Sequence, residues 1–178
     1  MRKTGGWTIR EIDRATDAAA VQRLDTSFMT EAVYEVTGER GRLQLGLIAV
    51  PTRQGRFAID LDQPPWDQGF VAVEDGAVRG LVATRLEAWN GRLAIWHFYV
   101  DAAHRRRGIG RDLLEQALAA GCRSGARTAW AETGNDNAPG IEAYRRLGFS
   151  ICGFDLTLYD GTASQGKFAI FLARTLAA

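Results

Sequence analysis

Residues 96–114 read WHFYVDAAHRRRGIGRDLL: an apolar strand pattern runs into a short basic turn and leaves it as an amphipathic helix. Arg105-Arg106-Arg107-Gly108-Ile109-Gly110 places amides without bulky side chains at the first helical turn, where unpaired N–H groups and the positive end of the helix dipole favour an anion. Gly108 and Gly110 let a diphosphate approach the main chain closely. Three arginines alone equally describe a solvated helix start, so the position of the turn between strand and helix carries the reading. A dinucleotide-binding turn has the same layout but fits poorly. The third glycine of G-x-G-x-x-G would fall at Leu113, no acidic residue closes a following strand at the usual distance, and G-x-x-x-x-G-K-[ST] is absent.

Upstream of this stretch, Leu93 to Val100 follows a hairpin signal at Asn90-Gly91, and Phe70 to Val73 and Val78 to Leu86 read as strands around Glu74-Asp75-Gly76. Trp7 to Ile12 alternates as a first strand, and Thr16-Asp17 is the expected cap of a helix over Ala18 to Leu24. Val33 to Val36 and Leu43 to Val50 are strand-like or mixed around Gly38 and Gly41. Pro51 to Trp66, broken by Pro64-Pro65, is expected to be a surface connection. Downstream, the helix Gly108 to Ala120 has Ile109, Leu113, Leu114, Ala117 and Leu118 on one face, with Gly121 as its expected stop. A strand over Ala126 to Glu132, a helix over Pro139 to Leu147 ended by Gly148, and closing strands over Phe149 to Tyr159 and Lys167 to Leu172 complete an α/β fold with a mixed central sheet.

The chain has 178 residues, 46% of them hydrophobic, which suits one compact domain over 1–178. A formal charge of +1 argues against general electrostatic affinity for nucleic acid or acidic membranes, leaving the arginine turn as a local patch. Cys122 and Cys152 lack metal-ligand spacing and read as small buried hydrophobes, so no metal is expected. The N-terminal MRKTGGWTIREID has no apolar core of signal-peptide length, and a reduced cytoplasm is the expected location.

V-x-x-x-x-R-x-x-G-I-G-x-x-L-L, met by Val100, Arg105, Gly108, Ile109, Gly110, Leu113 and Leu114, resembles the acetyl-CoA signature of the GNAT superfamily of N-acetyltransferases. A second motif, N-x-x-G-x-x-x-Y-x-x-x-G-F from Asn137 through Gly140, Tyr144, Gly148 and Phe149, looks like the distal motif of the same family. A narrower likeness, to streptothricin acetyltransferases, rests on Trp89-Asn90, His97, Glu132-Thr133, Asn137-Ala138-Pro139, Tyr144 and Gly153-Phe154-Asp155-Leu156. The resemblance implies a GNAT fold in which two strands splay apart. It implies acetyl-CoA as cosubstrate, gripped at its pyrophosphate by Arg105, Arg106, Arg107, Gly108, Ile109, Gly110 and Arg111 and along its pantetheine by main-chain groups of Phe98, Tyr99 and Val100. Asn137 either hydrogen-bonds the ligand or only caps the helix that Pro139 begins. Tyr144 is either a site group or a core tyrosine with one structural hydrogen bond.

Acetyl transfer to an amine needs a neutral nucleophile, while an alkylammonium has an unperturbed pKa of about 10.4. Many family members carry a carboxylate on the strand before the arginine turn, but Trp96 stands at that position here. Glu132 is the leading substitute base, with His97 and Asp155 behind it, and Tyr144 is the candidate acid for the departing thiolate. Glu87, Trp89, Asp155 and Glu132 are expected around a small cationic amine, joined by Glu31 or Glu35 if the N-terminal segment folds over the site. Neither cysteine has an activating base nearby, which favours direct attack over an acyl-cysteine route. A protein lysine or N-terminal acetyltransferase, and a non-catalytic acyl-CoA-binding module, are the alternatives. A homodimer is compatible with the family, and the C-terminal strands offer one surface for it.

Overall fold

The computed structural model describes residues 2–4, 6–39, 41–62 and 65–176. In chain order the elements are β1 (Arg2–Thr4), β2 (Trp7–Glu11), α1 (Arg14–Gln22), β3 (Phe28–Thr37), β4 (Gln44–Gly55), β5 (Gln68–Glu74), β6 (Ala77–Glu87), β7 (Arg92–Val100), α2 (Ile109–Arg123), β8 (Thr128–Gly134), α3 (Ala138–Arg146), β9 (Ser150–Asp155) and β10 (Ala169–Thr175). They fall into two compact units. The first comprises Met1–Thr26, Phe57–Ala131 and Arg174–Ala178, and the second Ser27–Arg56 and Glu132–Ala173.

In the first unit the strand order is β1-β2-β5-β6-β7-β8. All neighbours are antiparallel until β8, which runs parallel to β7, so the sheet is mixed, as the α/β alternation implies. The β5–β6 connection puts Asp75 (φ 49°) and Gly76 (φ 74°) in the left-handed region, the geometry that matches a two-residue turn to strand twist. One sheet face receives α2 through Ile109, Leu113, Leu114, Ala117 and Leu118, all buried. Gly121 does not stop this helix. It lies inside α2 because a Cβ there would stand 2.5 Å from Leu93 Cδ2, and the chain turns instead at Gly125, with φ +91°.

The other face carries a cluster of Val21, Leu24, Leu61, Trp66, Val71, Leu81 and Ala83, against which Trp96 packs. Two expectations change here. The segment Pro51 to Trp66 is not a simple surface connection: β4 runs on to Gly55, and Leu61 and Trp66 are buried. Trp66 Nε1 donates to the Leu61 carbonyl at 2.9 Å, and the Arg14 guanidinium lies 3.6 Å above its ring. Pro64 lies outside the described residues. The α1 cap is Asp13, whose carboxylate accepts from the Ala15 N–H at 2.9 Å. Asp17 is drawn inward by a two-pronged pair with Arg10 at 2.6 and 2.8 Å.

In the second unit β3 and β4 form an antiparallel ribbon from Phe28↔Gly55 to Thr37↔Gln44. The end of β8 is followed by β10 and then β9. Helix α3 ends in a Schellman turn: the Phe149 N–H reaches the Tyr144 carbonyl at 3.1 Å, the Gly148 N–H reaches that of Arg145 at 3.0 Å, and Gly148 has φ +86°. Strand β9 stops at Asp155, short of the expected Tyr159, because Asp155 accepts from the Thr157 N–H at 2.8 Å and starts a turn. Both cysteines are exposed, contrary to the sequence reading. Cys122 falls off the buried face of α2, and Cys152 sits on edge strand β9 on the side away from Ile151.

Candidate active site

Strand β7 carries the decisive irregularity. Ala83 pairs with His97 and Thr84 with Ile95, so Trp96 is an extra residue opposite β6, a β-bulge that re-aims its neighbours. The parallel ladder to β8 runs only from Arg92↔Thr128 to Ile95↔Ala131. Phe98, Tyr99 and Val100 lie past its end, as a splayed pair of strands requires.

Beyond β7 the chain makes a short 3-10 turn over Ala102–His104 under an Asp101 cap. The three arginines then part company. Arg105 turns inward, its Nε donating to the Val100 carbonyl at 3.0 Å and its Nη2 to the Asp25 carbonyl at 3.2 Å. Burial lowers its pKa against the raising fields of Asp25 and Asp101. Arg107 forms a two-pronged pair with Glu74 at 3.0 and 2.6 Å, which holds that carboxyl below its usual range. Arg106, at φ +60°, is exposed. Gly108 has φ +100° and offers the helix no side-chain cap, so the first α2 amides are not covered from within the turn. Gly110 serves packing, since a Cβ there would meet Phe98 and Val100 at 3.4 Å. Asp112 is buried beside the turn, accepting from Trp7 Nε1 at 3.0 Å and from Arg111 Nε at 3.3 Å. The N–H groups opening α2, flanked by exposed Arg106 and Arg111, suit a diphosphate; Arg105 and Arg107 shape the turn around them.

His97 is 4% exposed, and neither ring nitrogen finds a partner among the described residues; Trp96 Nε1 is in the same position. Burial pushes the His97 pKa down against the opposing field of Asp60. Its ring lies 6.0 Å from that of Tyr99, which in turn lies 5.9 Å from Phe57. Glu87 pairs with Arg85 at 3.5 Å, and Trp89 at the following turn is 85% exposed.

In the second unit Glu132 opens the end of β8, and Tyr159 donates its hydroxyl to Glu132 Oε1. Burial raises the Glu132 pKa and the phenol's hydrogen bond opposes that rise. Burial also raises the pKa of Tyr159. Asn137 caps α3 by accepting from the Gly140 N–H at 3.1 Å, and its Nδ2 donates to Thr133 Oγ1 at 2.9 Å. Tyr144 meets Phe149 edge-on at 5.2 Å. Asp155 is engaged at the Thr157 turn, and Glu31 accepts from Thr52 Oγ1 at 3.2 Å. Sequence reading missed Tyr159 by treating it as strand. The Asp160-Gly161 pair beside it was the available turn signal, and Gly161 has φ +71°.

With this geometry in hand, comparison with known proteins fixes the class. Residues 33–149 match the acetyltransferase (GNAT) family. The chain belongs to that family and is an N-acetyltransferase. It is 40% identical to a streptothricin acetyltransferase of Streptomyces lavendulae, over 90% of each chain. Among solved structures it superposes on nourseothricin acetyltransferase with a TM-score of 0.88 at 36% identity, covering 97% of this chain and 100% of that one. A Bacillus anthracis protein solved in complex with acetyl coenzyme A shares the fold, with a TM-score of 0.80 at 22% identity over 96% of this chain and 99% of that one. Among the described residues no helix is long and apolar enough to cross a membrane, and no cluster of His, Cys, Asp or Glu could hold a metal ion.

Proposed function

We propose that this protein, acting as one N-acetyltransferase domain over residues 1–178, moves an acetyl group from acetyl-CoA to a primary amine of a small cationic molecule, streptothricin being the first acceptor to test. The observation that carries the reading is the start of α2, where a left-handed Gly108 leaves the first-turn amides without a side-chain cap just past the end of the β7–β8 ladder. The acceptor class follows from the likeness to streptothricin acetyltransferase over 90% of both chains. Such a product would make the protein a factor in antibiotic resistance.

When bound, acetyl-CoA supplies an activated acyl thioester. The N–H groups of Ile109, Gly110 and Arg111, with the Arg106 and Arg111 guanidiniums, hold the diphosphate. Arg105 and Arg107 keep the turn in shape through Val100, Asp25 and Glu74. Main-chain groups of Phe98, Tyr99 and Val100 align the pantetheine, and an N–H near Phe98 or Tyr99 meets the oxygen on which negative charge builds. Glu132 accepts the ammonium proton; burial raises its pKa toward the acceptor's, which makes it a stronger base. His97, held neutral by burial, hydrogen-bonds the amine. Tyr144 donates its hydroxyl proton to the departing sulfur, while Glu87, Asp155 and Trp89 favour the cation.

Thiol release tests this directly. Purified protein with acetyl-CoA and streptothricin should liberate CoA and yield monoacetylated antibiotic. Tyr144→Phe should slow turnover by about a hundredfold, the lower bound for loss of a general acid, while acetyl-CoA still binds. No CoA release above background across streptothricin and a panel of other small amines would overturn the reading, and an unchanged rate in the variant would remove Tyr144 from it.

A further inference from the structure

We propose that Tyr159, carried on the turn between β9 and β10, is the positioning residue for Glu132: its hydroxyl fixes one carboxylate oxygen and leaves the other free for the acceptor's ammonium. The inference rests on the assignment of Glu132 as base made above.

The turn that delivers Tyr159 is fastened at both ends. At its start, Thr157 N and Oγ1 both donate to Asp155 Oδ1 at 2.8 Å. At its finish, Lys167 Nζ lies 2.7 Å from Asp136 Oδ2, the Phe168 N–H donates to Asn135 Oδ1 at 3.2 Å, and the Asn135 N–H donates to the Phe168 carbonyl at 2.9 Å. In between, the Tyr159 carbonyl accepts from Thr162 Oγ1 at 2.7 Å, and the Asp160 N–H reaches the Thr157 carbonyl at 2.9 Å. The backbone carrying the phenol is therefore held by its own hydrogen bonds.

The phenol meets β8 along one side of the strand. A Cβ built on Gly134 would come 4.0 Å from Tyr159 Cε2, and residues two apart in a strand share a face. The ring therefore rises beside Gly134 and its hydroxyl ends at Glu132 Oε1. Besides Glu132, the charge whose field reaches the phenol is Asp136, itself paired with Lys167. Burial first, then the hydrogen bond to Glu132 and the field of Asp136, raise the phenol's pKa and keep its proton in place. Tyr159 thus donates a hydrogen bond without titrating. In the reaction an acceptor N–H bond breaks, an O–H bond forms on the second Glu132 oxygen, and Tyr159 is unchanged.

A donor to an ionised carboxylate favours the ionised form, so deleting the hydroxyl makes Glu132 harder to ionise. Two measurements separate this proposal from the base assignment beneath it. Carbon-detected NMR titration of the Glu132 carboxyl, without either substrate, should show a higher midpoint in Tyr159→Phe than in wild type. The pH profile of kcat/KM with streptothricin should show its acidic limb moved up by about one unit in Tyr159→Phe, a tenfold change in ionisation, with acetyl-CoA affinity unchanged. In Glu132→Gln that limb should vanish. If the limb vanishes in Glu132→Gln but neither the NMR midpoint nor the limb moves in a folded Tyr159→Phe, the positioning role is overturned and the base assignment stands. If Glu132→Gln keeps the wild-type limb and rate, the base assignment falls with the proposal.

Discussion

At the residue scale, His97 sits in an environment far from solution, only 4% exposed. A neutral imidazole with both nitrogens buried and without a partner among the described residues is tolerated in a fold only where something else, water or a ligand, completes its hydrogen bonding. Its cost depends on pH. The unfolded chain binds a proton near the ordinary value of 6.5, whereas burial lowers the folded value. Between those two values the unfolded state holds more protons, so folding stability is fully present above 6.5 and is lost as pH falls toward the folded pKa. Glu132 acts with the opposite sign, because its folded pKa is raised and its contribution is lost as pH rises through that value. Thermal unfolding of wild type against His97→Gln isolates the histidine. The melting temperature of wild type should drop more steeply than that of the variant from pH 7.5 to below 6.5, and parallel curves would show that the ring does not titrate against the fold.

At the element scale, the strand-turn-helix over β7 and α2 was readable because apolar periodicity, three arginines and two glycines all fall in one short stretch. The second motif was readable for a similar reason: Asn137, Pro139 and Gly148 mark both ends of α3 through capping chemistry that is local. What stayed hidden depends on partners distant in sequence. Arg107 and Arg105 look alike in a row of arginines, and only Glu74, Val100 and Asp25 tell them apart. The bulge at Trp96 is set by its register against β6. Gly121 looked like a helix stop because helix ends favour glycine, yet Leu93 from β7 occupies the space its side chain would need. Gly121→Ala is therefore a direct check. Intrinsic propensity alone would stabilise the helix by about 1 kcal/mol, whereas overpacking against Leu93 should reverse the sign and leave the protein less stable by about 1–3 kcal/mol. Urea unfolding reads the difference, and a gain in midpoint would show that the Leu93 side chain yields freely.

At the scale of the whole molecule, the first unit contains the arginine turn, the bulge and the buried histidine, and the second contains Glu132, Tyr159, Asn137 and Tyr144. Net charge of +1 gives no long-range attraction for an anionic cosubstrate, and in the proposed function its recognition falls to the opening of α2. Isothermal titration of the protein with acetyl-CoA tests this most directly. The account predicts saturable binding to folded wild type, weakened at least about tenfold when Arg106 and Arg111 are both replaced by alanine, the loss expected for two charge-assisted contacts. No saturable heat from soundly folded protein, or the same affinity in the double variant, would contradict it.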